Sequence, residues 1–363
     1  MKKSFTVIVS ILLAAALMLT ASAAATDSAT GLTYTDNGNG TATVTGTVKY
    51  SDTALSIPET LGGLTVTKIG SGAFRSKNAL KTLKIPSTVT EIESYAFYNC
   101  QHITSVVLGD NVKTIGDYAF NTCVELTGIN LKNVESVGAY SFYGCKHITS
   151  VNCGNKLKTI GTRAFAKCNY LERVTFSPVL EEIGDYAFSD CIALTAVSFP
   201  ASLKKIGNSA FKGCDALETV TFPSSGDLCI GPYAFEDCKA LKTVTLTPAV
   251  SEIGRYAFAL REPNSTEFSH DIEIISTGSP AAAMYGALYG VAIKENGSEV
   301  KGYGDANGDG KITTADAKAV LRVVSKISPG YSEAKTKLLD MNKNGMLDLE
   351  DVSIILKVAT GII

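Results

Sequence analysis

Two twelve-residue stretches near the C-terminus, DANGDGKITTAD (305–316) and DMNKNGMLDLED (340–351), set oxygen-bearing side chains at the same spacing, 35 residues apart. In such a D-x-[DN]-x-[DN]-G loop, carboxyl and carbonyl oxygens wrap a calcium ion, and glycine at the sixth position permits the sharp turn. The first loop offers Asp305, Asn307, Asp309, the Lys311 carbonyl, Thr313 and Asp316, with Gly310 at the turn. The second offers Asp340, Asn342, Asn344, the Met346 carbonyl, Asp348 and Asp351, with Gly345 at the turn. Each holds three carboxylates, a charge suited to a divalent cation with hard oxygen ligands, so the pair predicts two calcium ions.

Other chemistry has little to build on. The chain has three histidines, His102, His147 and His270, and neither G-x-S-x-G nor H-E-x-x-H occurs. The first two histidines fall in one column of a repeat, on a solvated turn, so the sequence predicts no catalytic constellation. A net charge of −2 gives no basic patch to steer nucleic acid.

The loops need elements to hold them. Each runs into an exiting helix, ADAKAVLRVVSKI and LEDVSIILKVATGI, whereas the preceding NGSEVKGYG (296–304) carries three glycines and makes a poor entering helix. Position 12 is Asp in both loops, where an EF-hand carries Glu. This duplicated loop-plus-exit-helix at 305–363 resembles a type I dockerin. The resemblance implies calcium-dependent docking onto a cohesin module of a scaffoldin, in a cellulosome-like assembly. It also implies recognition through loop positions 10 and 11 and the exit helix: Thr314, Ala315, Leu321, Arg322 and Lys326 in the first copy, and Leu349, Glu350, Leu356 and Lys357 in the second. The copies differ at positions 10 and 11, Thr-Ala against Leu-Glu, which predicts one dominant binding orientation.

Most of the chain is a different repeat. Phe74, Phe97, Phe120, Phe142, Phe165, Phe188, Phe211, Phe235 and Phe258 recur at intervals of 22 to 24 residues. An isoleucine or valine stands five residues before each, followed by glycine in all but one copy, and alternating segments such as LKTLKIP and ITSVVLG read as half-buried strands. A unit of about 23 residues cannot bury its own apolar face, so the units stack into a solenoid. LTYTDNGNGTATVTGTVKY (32–50) reads as an N-terminal capping hairpin and SPAAAMYGALYG (279–290) as a capping helix. The fold class is therefore a β-rich leucine-rich-repeat solenoid of about nine units, at 31–293, followed by a linker at 294–304 and the small helical module. The repeats resemble the BspA-type leucine-rich repeat family, which implies an extracellular surface for adhesion or binding of protein or glycan.

Lys2, Lys3, an apolar run from Val7 to Leu19 and ASAAA (21–25) read as a signal peptide over residues 1–25, cleaved after Ala23 or Ala25, so the sequence predicts a secreted chain. Seven of nine cysteines, Cys100, Cys123, Cys145, Cys168, Cys191, Cys214 and Cys238, lie three residues after the marker phenylalanine. That column predicts buried small hydrophobes, and Cys153 and Cys229 take other structural columns. Tyr95, Tyr118, Tyr140, Tyr186, Tyr233 and Tyr256 form a further column, either covering the turn or offering an aromatic strip. The outward strand positions (Ser105, Asn130, Ser150, Asn152, Thr175, Ser198, Thr219, Thr221, Thr243 and Thr245) are small and polar. They fit a solvated sheet or a hydrogen-bonding face. A non-catalytic binding component is the leading reading, with an enzyme, an enzyme inhibitor or a passive spacer as alternatives.

Overall fold

The structure, a computed structural model, describes residues 24–49, 51–261, 268–269, 272–289, 291–295, 298–300, 304–309, 311–326 and 330–361. The stretch up to residue 23, within the expected signal peptide, His270 and Gly310 lie outside the described residues. At the N-terminal end, Leu32–Asp36 and Thr41–Thr47 form an antiparallel hairpin. Its turn is closed by the Asp36 carboxylate, which accepts from Gly38 N at 2.8 Å. Thr41–Thr47 alternates, burying Ala42 and Val44, and then pairs in parallel with Leu64–Ile69. Ala25–Thr26 adds a short antiparallel strand to the outer edge of this cap.

Two parallel ladders climb the rod from there. One carries the isoleucine column: Ile69 pairs level with Ile92, then Ile115, Val137, Ile160, Ile183, Ile206, Ile230 and Ile253, with one bulge beside the column between Leu228 and Cys229. The other runs in three blocks. Ala54–Ser56, Thr82–Lys84 and Ser105–Val107 pair, as do the strands from Gly128–Asn130 to Thr219–Thr221 and those from Thr243–Leu246 through Glu273–Ser276 to Ile293–Glu295. In the three-residue strands of the first two blocks the middle side chain turns inward, and the flanking Ser, Thr and Asn positions face solvent. All ten outward residues singled out from the sequence are exposed.

The third side of each coil is the turn bearing the marker phenylalanine. The nine rings stack face to face with centroids 5.1 to 5.4 Å apart and are fully buried. Burying each ring stabilises the stack by roughly 2–3 kcal/mol. The glycine after the isoleucine column is there for closeness: a Cβ at Gly184 would stand 2.7 Å from Thr162 N on the preceding coil. Each of the seven column cysteines donates its thiol to a phenylalanine carbonyl one coil back, from Cys100 to Phe74 at 3.0 Å through Cys238 to Phe211 at 3.3 Å. No cysteine pairs among the described residues.

Helix α1 (Pro280–Tyr289) closes the far end, as the sequence predicts. Ala281, Ala282, Ala283 and Tyr285 are buried, and the Tyr285 ring meets Phe258 edge-on at 5.9 Å while its hydroxyl accepts from Phe258 N. The stretch expected as a linker carries two strands instead. Ile293–Glu295 and Ser298–Val300 make a hairpin that lengthens the third sheet block, because backbone pairing there needs no particular side chains. Helices α2 (Thr314–Val324), α3 (Glu333–Leu339) and α4 (Leu349–Thr360) follow. α2 packs on α4 over Ala317, Val320 and Ile355, and α4 also touches α1 of the cap. The Lys343 ammonium bridges to Glu295 at 3.0 Å, tying the second loop to the last sheet block.

Candidate cation loops and binding face

The two C-terminal loops repeat each other in the bonds made to position 12 and along the alternate positions. In the first, Asp316 at position 12 is fully buried and accepts from the N–H groups of Ala306 (2.9 Å), Asn307 (3.1 Å) and Thr313 (2.8 Å). In the second, Asp351 is fully buried and accepts from Met341 (2.7 Å), Asn342 (3.3 Å) and Asp348 (2.9 Å), the same offsets. Both carboxylates also sit at the third position of their exit helix and complete capping boxes with Thr313 and Asp348. One residue thus closes the loop and starts the helix. The alternate positions fold the loop on itself: Asn307 accepts from Asp309 N and Asp309 from Lys311 N, as Asn342 does from Asn344 N and Asn344 from Met346 N. Asp340 accepts from Gly345 N at 2.8 Å, and Gly345 is left-handed at φ 84° with open space around it. Position 4 is left-handed too, as Gly308 in one loop and Lys343 in the other.

The charges in these loops are arranged unevenly. Burial works against ionisation of Asp316, but the bonds from Thr313, Asn307 and Ala306 outweigh it and hold the carboxyl below its usual range. At Asp351 burial wins, with the Asp340 charge adding to it, and the carboxyl is pushed up. The donor set fits a hard cation: each loop buries two carboxylates, at positions 1 and 12, beside amide and main-chain oxygens. Among the described residues no three His, Cys, Asp or Glu side chains converge on one point, so the carboxylates at position 12 lie on backbone N–H groups. All nine residues picked out as docking contacts, from Thr314 to Lys357, are exposed, with Leu321, Leu349 and Leu356 among the most exposed apolar side chains. Met346, read from sequence only as a carbonyl donor, joins them at 63 % exposure.

On the solenoid, the tyrosine column stacks in its first half and is interrupted at Ser209 before Tyr233 and Tyr256. Tyr95, Tyr118 and Tyr140 lie ring on ring at 4.8 and 4.7 Å, every one in left-handed backbone at φ 55–60°. Where the next copy has no tyrosine, the Arg163 guanidinium continues the column, 5.6 Å from the Tyr140 ring and 4.6 Å from that of Tyr186. Sequence reasoning missed Arg163, although reading the column through its one basic member would have found it. His102 and His147 are exposed, bonded to Glu125 and to the Val124 carbonyl, each at 2.8 Å.

The family model described as BspA type leucine rich repeat region matches residues 53–172 and 159–279, in six copies. The chain belongs to the BspA type leucine rich repeat family. A second family model, dockerin type I domain, matches residues 303–357 and so covers both cation loops. Among solved structures this BspA-type chain is similar to a leucine rich cell surface protein from Faecalibacterium prausnitzii, at 28% identity over 71% of this chain and 76% of that one, with a TM-score of 0.54. It also resembles leucine-rich repeat proteins of T. pallidum (22% identity, 60% and 91% covered, TM-score 0.46) and Bacteroides ovatus (22%, 68% and 90%, 0.39). No curated protein matches it. The dockerin type I match implies calcium binding and cohesin docking, and leucine-rich repeats imply protein binding. Both matched families are non-catalytic modules. Among the described residues no helix is long and apolar enough to cross a membrane.

Proposed function

We propose that this is a secreted, non-catalytic component of a cellulosome-like assembly. Residues 1–25 export it, the solenoid at 31–293 presents a face to a protein or glycan, and the dockerin at 305–363 fixes it to a scaffoldin cohesin, with 294–304 joining the two. Outside the cell it is held at the surface through that scaffoldin. The observation that carries this reading is the duplicated loop, with matching bonds at matching offsets and two exposed recognition faces. Two calcium ions would be held, one by Asp305, Asn307, Asp309, Lys311, Thr313 and Asp316 and one by Asp340, Asn342, Asn344, Met346, Asp348 and Asp351. Calcium supplies the charge that compensates the carboxylates buried in each loop. Such a module has little core of its own, so its helices depend on that compensation.

The test is calorimetry of the mature chain against a panel of cohesins, first with calcium and then with chelator. Binding to at least one cohesin with calcium, abolished by chelator together with the helical signal of 314–360, is the expected result. Binding to none, or binding indifferent to calcium, overturns the docking role.

A further inference from the structure

One side-chain column on the turn face has a gap. The residue after each marker phenylalanine is Tyr98, Asn121 or Tyr143 in successive coils, then Ala166 and Ser189, before the long side chains return with Lys212. Two small, buried residues in a row leave a notch of about 260 Å³, walled by Tyr143 and Lys212 and floored by Ser189. The coil that supplies Ala166 also supplies two cations to the rim. Arg163 is held over the Tyr186 ring and donates to the Tyr140 hydroxyl at 2.9 Å, and Lys167 stands 5.9 Å from the Tyr143 ring centre. Both residues have left-handed backbone, φ 54° and 60°, which fixes where their side chains leave the chain.

The charge balance of the notch is positive. Glu236 pairs with Lys212 at 2.6 Å and offsets it, so Arg163 and Lys167 stand against the single carboxylate of Asp190. A planar guanidinium fixed between rings matches a carboxylate through parallel N–H groups. Tyrosine rings take the apolar face of a sugar, and Asp190 accepts from its hydroxyls. A neutral sugar can accept N–H bonds from both cations but leaves their charge uncompensated, which a carboxylate does not. We infer that this notch binds the uronate residue of an acidic polysaccharide, an inference that rests on the preceding reading of the solenoid as a ligand-presenting face.

Calorimetry of the full mature chain tests it, with hexagalacturonate, a hyaluronan hexasaccharide, cellohexaose and polyglutamate as probes. One or both uronates bind, more weakly at high salt, while cellohexaose and polyglutamate do not. Binding of hexagalacturonate alone assigns a plant-wall source, and of hyaluronan alone an animal-matrix source. Arg163→Gln and Lys167→Gln each weaken uronate binding about tenfold, and Ser189→Tyr, which fills the notch, does the same by a different route. Melting temperature and cohesin binding stay as in the parent chain. Uronate affinity unchanged in all three variants overturns the inference, as does equal binding of cellohexaose or polyglutamate. So does the absence of uronate binding. If in that case an array of other glycans and proteins finds a ligand for the solenoid, the notch is wrong and the ligand-presenting face stands. An array with no ligand removes both.

Discussion

A tyrosine in left-handed backbone costs on the order of 1 kcal/mol, yet this chain places six of them there in one column. The coils hold them by main-chain bonds from rung to rung, such as Tyr95 N to the Asp117 carbonyl at 2.9 Å, and by the stacking that their fixed φ permits. The same closeness decides what glycine does at 184. Gly184→Ala forces a Cβ onto the coil below and is expected to lower stability by about 2 kcal/mol, read as a shifted urea midpoint with unchanged slope. Cysteine shows burial acting on chemistry. Burial pushes the Cys168 thiol up to about 12, and even half-buried Cys229 is raised to about 11. The reactive thiolate is therefore suppressed at pH 8 in the folded chain. Iodoacetamide followed by mass spectrometry should count almost no labels at that pH without denaturant and nine in guanidinium.

At the scale of elements, stability runs along the phenylalanine stack. Phe165→Ala removes a ring packed on both sides and should cost about 3–5 kcal/mol. Tyr285→Phe loses the bond from Phe258 N, about 1 kcal/mol, whereas Tyr285→Ala uncovers the end of the stack and should promote self-association, visible in sedimentation. The coil period and the phenylalanine and cysteine columns were legible in the sequence because each column repeats and any one copy corrects the others, and the caps were legible from their own hairpin and helix patterns. The hairpin at 293–300 was not, since its glycines read as a linker and main-chain pairing leaves no side-chain mark. The left-handed tyrosines were hidden because tyrosine carries no signature of that backbone. The notch was hidden for another reason: Ala166 and Ser189 are ordinary until set beside side chains 23 residues away. In the loops the repeated spacing of oxygen-bearing residues was legible. What was not is that Asp316 and Asp351 also cap the helices that follow, which only the N–H geometry reveals.

For the whole molecule, the two loop-and-helix copies share a backbone and differ in their exposed faces. Thr314 and Ala315 stand where Leu349 and Glu350 stand in the other copy, and all four are exposed. Disrupting the two faces separately, with Leu321→Asp and Leu356→Asp, should weaken cohesin binding unequally, by tenfold or more in one case and little in the other. Equal losses in calorimetry would mean that both orientations are used. The last consequence concerns the two interruptions in the outer sheet, after Val107 and after Thr221, where the isoleucine ladder continues but its partner does not. A protein docked and bound as proposed would be pulled by whatever moves the surface it binds. Neighbouring coils then bear tension in series, and the joints with one ladder in place of two are the ones that yield first. Stretched, the rod should give in segments bounded by those joints, absorbing work in steps.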